Sequence, residues 1–129
     1  MRRSEQRRDA VFALYQHEVT GRPVDELLTG AKPFTRELVE GVVSRREELD
    51  SAIGRNAQGW ELNRIAPLER SIMRVALYEA QHRDDVPSEV ALDEAVGLAR
   101  EYSGAEAPAF VNGVLGGAVR AGAGKGRGE

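Results

Sequence analysis

The chain has 129 residues, 41% of them hydrophobic and 30% charged, enough for one globular core and too little for two domains of ordinary size. It has no cysteine and only two histidines, His17 and His82, which excludes iron–sulfur clusters, thiol catalysis, disulfide scaffolds and cysteine-based zinc sites. The formal net charge of −3 is unevenly spread: Arg2, Arg3, Arg7 and Arg8 face only Glu5 in the first eight residues, Arg120, Lys125 and Arg127 sit at the other end, and the body between is acidic.

All basic residues except Lys32 and Lys125 are arginine, whose planar fork suits phosphate and base edges. The N-terminal arginines are not followed by the apolar run of a signal peptide, and nowhere do about 18 apolar residues stand together. A cytoplasmic protein without membrane contact is expected.

The apolar spacing is helical almost throughout, with no sustained period-2 alternation, so the fold class is all-α. A first helix capped by Ser4 should run to Thr20, burying Val11, Leu14, Tyr15 and Val19, and stop at Gly21 and Pro23. Val24 to Leu28 makes a short turn. From Thr35 the spacing of Leu38, Val39, Val42, Val43, Leu49 and Ile53 predicts one long helix or two abutting ones, jointed at Gly41 and Ser44. Trp60, beside the Gly54 and Gly59 loop positions, reads as a lid on the core.

Pro67 opens a helix to about His82 that is apolar on nearly every side, the pattern of the middle of a bundle. Ser88 is placed to cap the next helix, with Val90, Ala91, Ala95, Leu98, Ala99 and Tyr102 inward. A last helix is expected from Pro108 to Arg120, with Asn112 and Gly113 serving tight packing. Residues 1–120 thus read as a single helical domain of six or seven helices, and 121–129 as a disordered, glycine-rich tail.

Catalytic motifs fail on spacing. The only Gly-Lys step, Gly124–Lys125, lies in the tail and is followed by Gly126, so there is no phosphate-binding loop. His17 and His82 have no H-x-x-x-H or E-x-x-H partner, so no metal or other cofactor is called for. Glu47 with Glu48, Asp84 with Asp85, and Asp93 with Glu94 are chain neighbours that point to different helix faces, as solvated carboxylates do. What remains is the basic end: Arg3 and Arg7 are i, i+4 neighbours, and with Arg2 and Arg8 they suit a phosphate backbone, while the acidic body argues against general coating of duplex DNA.

Several segments, in order, carry a resemblance: RRDAVFALY from Arg7 to Tyr15; Trp60 with Arg64, Ile65 and Pro67; RVALYE from Arg74 to Glu79; Asp85, Val86 and Pro87; VALDEAVGLAR from Val90 to Arg100; and FVNGVL from Phe110 to Leu115. Together they resemble the NusB family of bacterial transcription antitermination factors. The resemblance implies two small helical bundles sharing a central helix, and a non-enzymatic adaptor that joins NusE, a small-subunit ribosomal protein, in binding boxA-type RNA of nascent ribosomal transcripts, so that the RNA polymerase antitermination complex reads through terminators. It places Arg2, Arg3, Arg7 and Arg8 on single-stranded RNA, with Tyr15 and Phe110 as stacking or packing partners, and Glu69, Arg70 and Arg74 on the NusE surface. Between Gly104 and Phe110 the chain reads AEAPA, where relatives often carry a slightly longer polar stretch. The alternative is a helical protein-interaction module or homodimer with no RNA of its own.

Overall fold

A computed structural model describes residues 1–122; the tail from 123 onward, with Lys125 and Arg127, lies outside the described residues. Among the described residues the chain forms α1 (Arg3–Thr20), α2 (Val24–Leu27), α3 (Pro33–Ser44), α4 (Arg46–Asn56), a 3-10 turn at Leu62–Arg64, α5 (Pro67–His82), α6 (Ser88–Tyr102) and α7 (Ala107–Ala121). There is no strand among them.

The helices form two bundles around α5. On one side α1 packs on α2, α3 and α5; on the other, α4, α6 and α7 pack on α5 and α7 on both α4 and α6. This is the shared central helix that the sequence implies. Ten of its sixteen residues are buried. The apolar pattern Ile72, Met73, Val75, Ala76, Leu77 and Ala80 explains most of that, but Arg70, Ser71, Arg74 and Glu79 are buried with them. Charge inside a core must be paired, and each of the three ions among those four residues has its counter-ion on another helix, Glu18, Asp50 or Arg7.

Local chemistry shifts several boundaries. Ser4 and Ser88 lie inside their helices: Arg2 is the N-cap of α1, where its backbone N–H donates to Glu5 Oε1 at 3.0 Å, and Pro87 is the N-cap of α6. The break between α3 and α4 falls at Arg45, whose φ of −118° departs from helical values, just beyond the expected joint. Gly21 ends α1 in the left-handed conformation, at φ 78°, which glycine adopts without strain. Val19, Val43, Val90 and Tyr102, expected inward, are exposed. Phe34 is buried instead, and the α1–α3 contact is stitched by Gln6, whose Oε1 accepts from the Phe34 N–H and whose carbonyl accepts from Thr35 Oγ1.

Close helix crossings fall on two glycines. A Cβ on Gly117 would meet Asn56 Oδ1 at 2.6 Å, whereas Gly113, with Asn112, faces open space, so tight packing of α7 falls to Gly117 rather than Gly113. A Cβ on Gly41 would overlap the Tyr78 ring where α3 crosses α5. Gly41→Ala is therefore expected to lower stability by about 1–3 kcal/mol through overpacking, read as a lower midpoint in thermal denaturation by circular dichroism.

Candidate RNA and partner interface

The N-terminal arginines do not form one uniform cationic patch. Arg7 is buried: Nε and Nη2 donate to Glu79 Oε1 and Oε2 at 2.6 and 2.7 Å, and Nη1 lies 3.1 Å from Glu94 Oε1. Burial alone would disfavour the guanidinium charge, but the two carboxylates outweigh it and hold Arg7 above its usual range. The residue expected on RNA is a strut between α1 and α5. Helical phase explains the correction: Arg7 lies on the same face as Ala10, Val11 and Leu14, all buried.

Arg2, Arg3 and Arg8 remain on the surface. Arg3 is half exposed and reaches Asp85 Oδ2 at 2.8 Å, and Arg83 holds the same carboxylate at 3.0 Å and Glu37 at 2.7 Å. The hydrogen bonds from Arg83 and then Arg3 press the Asp85 carboxyl far below the usual range. Phe34 lies under this lattice, its ring centroid 4.2 Å from the Arg3 guanidinium carbon and 5.3 Å from that of Arg83. Arg8 makes a looser contact with Asp9 at 3.3 Å, and Arg2 has no ion pair among the described residues. Three arginines thus present charge at the start of α1. Tyr15, further along that helix, is partly exposed.

Phe110, the other expected stacking residue, lies near the N-terminus of α7, in the bundle of α4, α5, α6 and α7. It meets Trp60 edge to face, centroids 6.2 Å apart and planes at 68°. Trp60 is 53% exposed, so it is no lid on the core; it forms one wall of an open cleft. That cleft, about 660 Å³, is also lined by Arg64, Ile65, Glu69, Glu106 and the Gly104–Ala105 backbone. Ala105, Glu106 and Ala107 of the short AEAPA connection line it.

Glu69 sits in the first turn of α5 and has no hydrogen bond or ion pair among the described residues. Burial pushes its carboxyl above the usual carboxylate range. A partly buried, unpartnered carboxylate lining the same cleft as the Trp60–Phe110 pair is suited to a cation brought by another molecule. Arg64, on the 3-10 turn, is exposed at the same mouth.

Arg70 and Arg74, expected beside Glu69 on the partner surface, point into the protein. Arg74 grips Asp50 through Nε and Nη2 at 2.6 and 3.1 Å and Glu18 through Nη1 at 3.0 Å. Arg70 donates from Nη2 to Glu18 Oε2 at 2.6 Å and from Nη1 to the carbonyls of Leu62 and Ile65 at 3.1 and 2.6 Å. Glu18 is held below the usual carboxylate range, because the bonds from Arg70 and Arg74 overcome its burial. These arginines join α1, α4, α5 and the 3-10 turn. Sequence reasoning missed this because i, i+4 spacing on a helix gives one face without saying which way the face looks. It also missed the cleft role of Trp60 and Arg64.

Comparison with known proteins matches the sequence and the fold along nearly the whole chain. The NusB family model matches residues 4–120. The transcription antitermination protein NusB of Rubrobacter xylanophilus is 45% identical over 125 residues, covering 92% of this chain and 90% of that protein. A T. maritima NusB structure superposes with a TM-score of 0.86 at 29% identity, covering 93% of this chain and 92% of that one. A structure of the antitermination factors NusB and NusE in complex with double-stranded RNA matches at a TM-score of 0.81 and 25% identity, over 94% of this chain and 99% of that one. With the seven helices of the described residues in the expected order and a family match spanning both bundles, the chain belongs to the NusB family, whose members are non-enzymatic transcription antitermination factors.

Proposed function

We propose that this protein is a cytoplasmic RNA-binding adaptor of transcription antitermination, which pairs with a NusE-type ribosomal protein on boxA-type single-stranded RNA and helps RNA polymerase read through terminators. The observation that carries the reading is the end-to-end likeness to a NusB solved with NusE and RNA. The surface chemistry supports it. Arg2, Arg3 and Arg8 offer phosphate neutralisation, Tyr15 and Phe110 offer aromatic faces for bases, and Glu69 offers a carboxylate to a basic protein partner. Phe110 and Glu69 line one cleft, so RNA and protein partner would meet there.

The test is fluorescence anisotropy of a labelled boxA-like RNA titrated with the protein alone and with NusE, at two salt concentrations. Salt-sensitive binding that tightens with NusE is the expected result; no binding in either condition would overturn the reading. Arg3→Ala with Arg8→Ala is expected to weaken RNA binding about tenfold and to flatten the log–log salt slope by about 0.7 per lost phosphate contact. Both arginines lie at the surface, so thermal stability should move little.

A further inference from the structure

The loop that carries Trp60 and Arg64 has little to hold it from within. Gly59 turns the chain at φ 81°, the Trp60 N–H donates to the Ala57 carbonyl at 3.0 Å, and the 3-10 turn closes with bonds from Arg64 to Glu61 and from Ile65 to Leu62. Trp60 itself is half exposed. Ala57 and Ile65 seat its two ends in the core, and the polar tie of its middle to the bundle is Arg70, buried to 9% exposure, whose Nη1 spans the Leu62 and Ile65 carbonyls while Nη2 is anchored on Glu18. Arg70 Nε is buried without a partner, so the side chain forgoes one hydrogen bond to keep both terminal nitrogens on the loop and on Glu18. Glu18 is in turn fixed by Arg74, which is fixed by Asp50.

We infer that Arg70 is a positioning residue for partner recognition: anchored on Glu18, it holds the 57–65 loop so that Trp60 packs edge to face on Phe110 and lines the cleft with Glu69 as a recognition residue. This rests on the reading of that cleft as the partner's docking site. The occupant is a basic segment of the protein partner, because the cleft offers the contacting aromatic pair Trp60 and Phe110 and the carboxylates of Glu69 and Glu106 against the single arginine Arg64. A lysine at position 70 keeps the charge but has one nitrogen, which cannot bridge two carbonyls and a carboxylate in the plane of a fork. The arrangement was out of reach of spacing arguments, since Trp60, Arg70 and Glu18 are brought together only by the fold.

Trp60 is the only tryptophan, so its emission reports the loop directly. In Arg70→Lys the free protein should keep its helical circular dichroism while Trp60 emission shifts to the red and its steady-state anisotropy falls. Affinity for NusE should drop about tenfold. Trp60→Ala should weaken NusE binding by a similar factor, and the double variant should be no worse than either single one, because both remove the same ordered wall. Glu18→Gln, which keeps the side-chain shape and one acceptor oxygen, should show the same changes in smaller measure if Arg70→Lys folds poorly. Unchanged Trp60 emission in both the Arg70→Lys and Glu18→Gln proteins would overturn the positioning role, as would additive effects in the double variant. Unimpaired NusE binding by both Trp60→Ala and Glu69→Gln would instead overturn the docking reading. Loss of RNA affinity with NusE affinity intact would assign the wall to a nucleobase and overturn the choice of occupant.

Discussion

Arg7→Ala should cost the protein about 3–5 kcal/mol of folding stability, because it removes the bidentate partner of a fully buried carboxylate, Glu79. Glu79 is fully buried and Arg7 almost so, and their two bonds of 2.6 and 2.7 Å join α1 to the centre of α5. A loss of that size is a large share of a small domain's net stability. Chemical denaturation is the measurement, and the midpoint should fall far more than for Arg8→Ala, whose side chain is a third exposed and rests on an exposed aspartate. Replacing both members by apolar residues of similar volume, Arg7→Met with Glu79→Leu, should lose much less than the single change, since it removes the buried carboxylate together with its bidentate partner. If Arg7→Ala instead unfolds at the native midpoint and loses only RNA affinity, the buried strut is refuted and Arg7 returns to the RNA surface.

That contrast shows what the sequence discloses and what it withholds. The helices were legible: α5 runs over the Pro67–His82 span its apolar pattern predicts, and the resemblance of FVNGVL and VALDEAVGLAR gives the two-bundle architecture. The proline and glycine punctuation at Gly21, Pro23 and Pro67 also falls where helices end or begin. The failures are at charged and aromatic residues. Arg7, Arg70 and Arg74 read as surface cations because arginine usually is one; each is instead neutralised by a carboxylate far away in the chain, Glu79, Glu18 or Asp50. Pairing across 24 to 72 positions leaves no local pattern to detect. Trp60 fails in the opposite sense, read as core and found at the surface, because it lies in the loop between α4 and the 3-10 turn, where no periodicity sets which way a side chain faces. Of the candidate site, Arg2, Arg3, Arg8, Phe110 and Glu69 are at the surface or lining the cleft, and the three buried arginines form its supports.

Glu69→Gln is expected to weaken NusE binding about 100-fold while leaving the free protein as stable as before or slightly more so. The two effects have one origin. Burial lifts the Glu69 carboxyl above its usual range with no counter-charge to oppose it, so the folded chain binds a proton there more readily than the unfolded chain does. The contribution of that carboxyl to stability is therefore complete below its unfolded-state value and is lost as pH rises through the higher folded-state value, which makes the ionised form a cost at neutral pH. Glutamine removes the cost, and the gain is small because the group is still partly open to water. Binding reverses the balance: a partner cation pairs with the waiting charge, the docked partner itself excludes water from the pair, and a desolvated pair cut on one side typically loses 2–5 kcal/mol, or roughly 30- to 5,000-fold. Titration calorimetry with NusE between about pH 4 and pH 8 measures this, since the native complex should weaken on acidification as Glu69 takes up its proton, and the glutamine variant should lose that limb of the profile. Native affinity in Glu69→Gln, or an unchanged acid limb, would remove Glu69 from the interface and leave its lack of a partner unexplained.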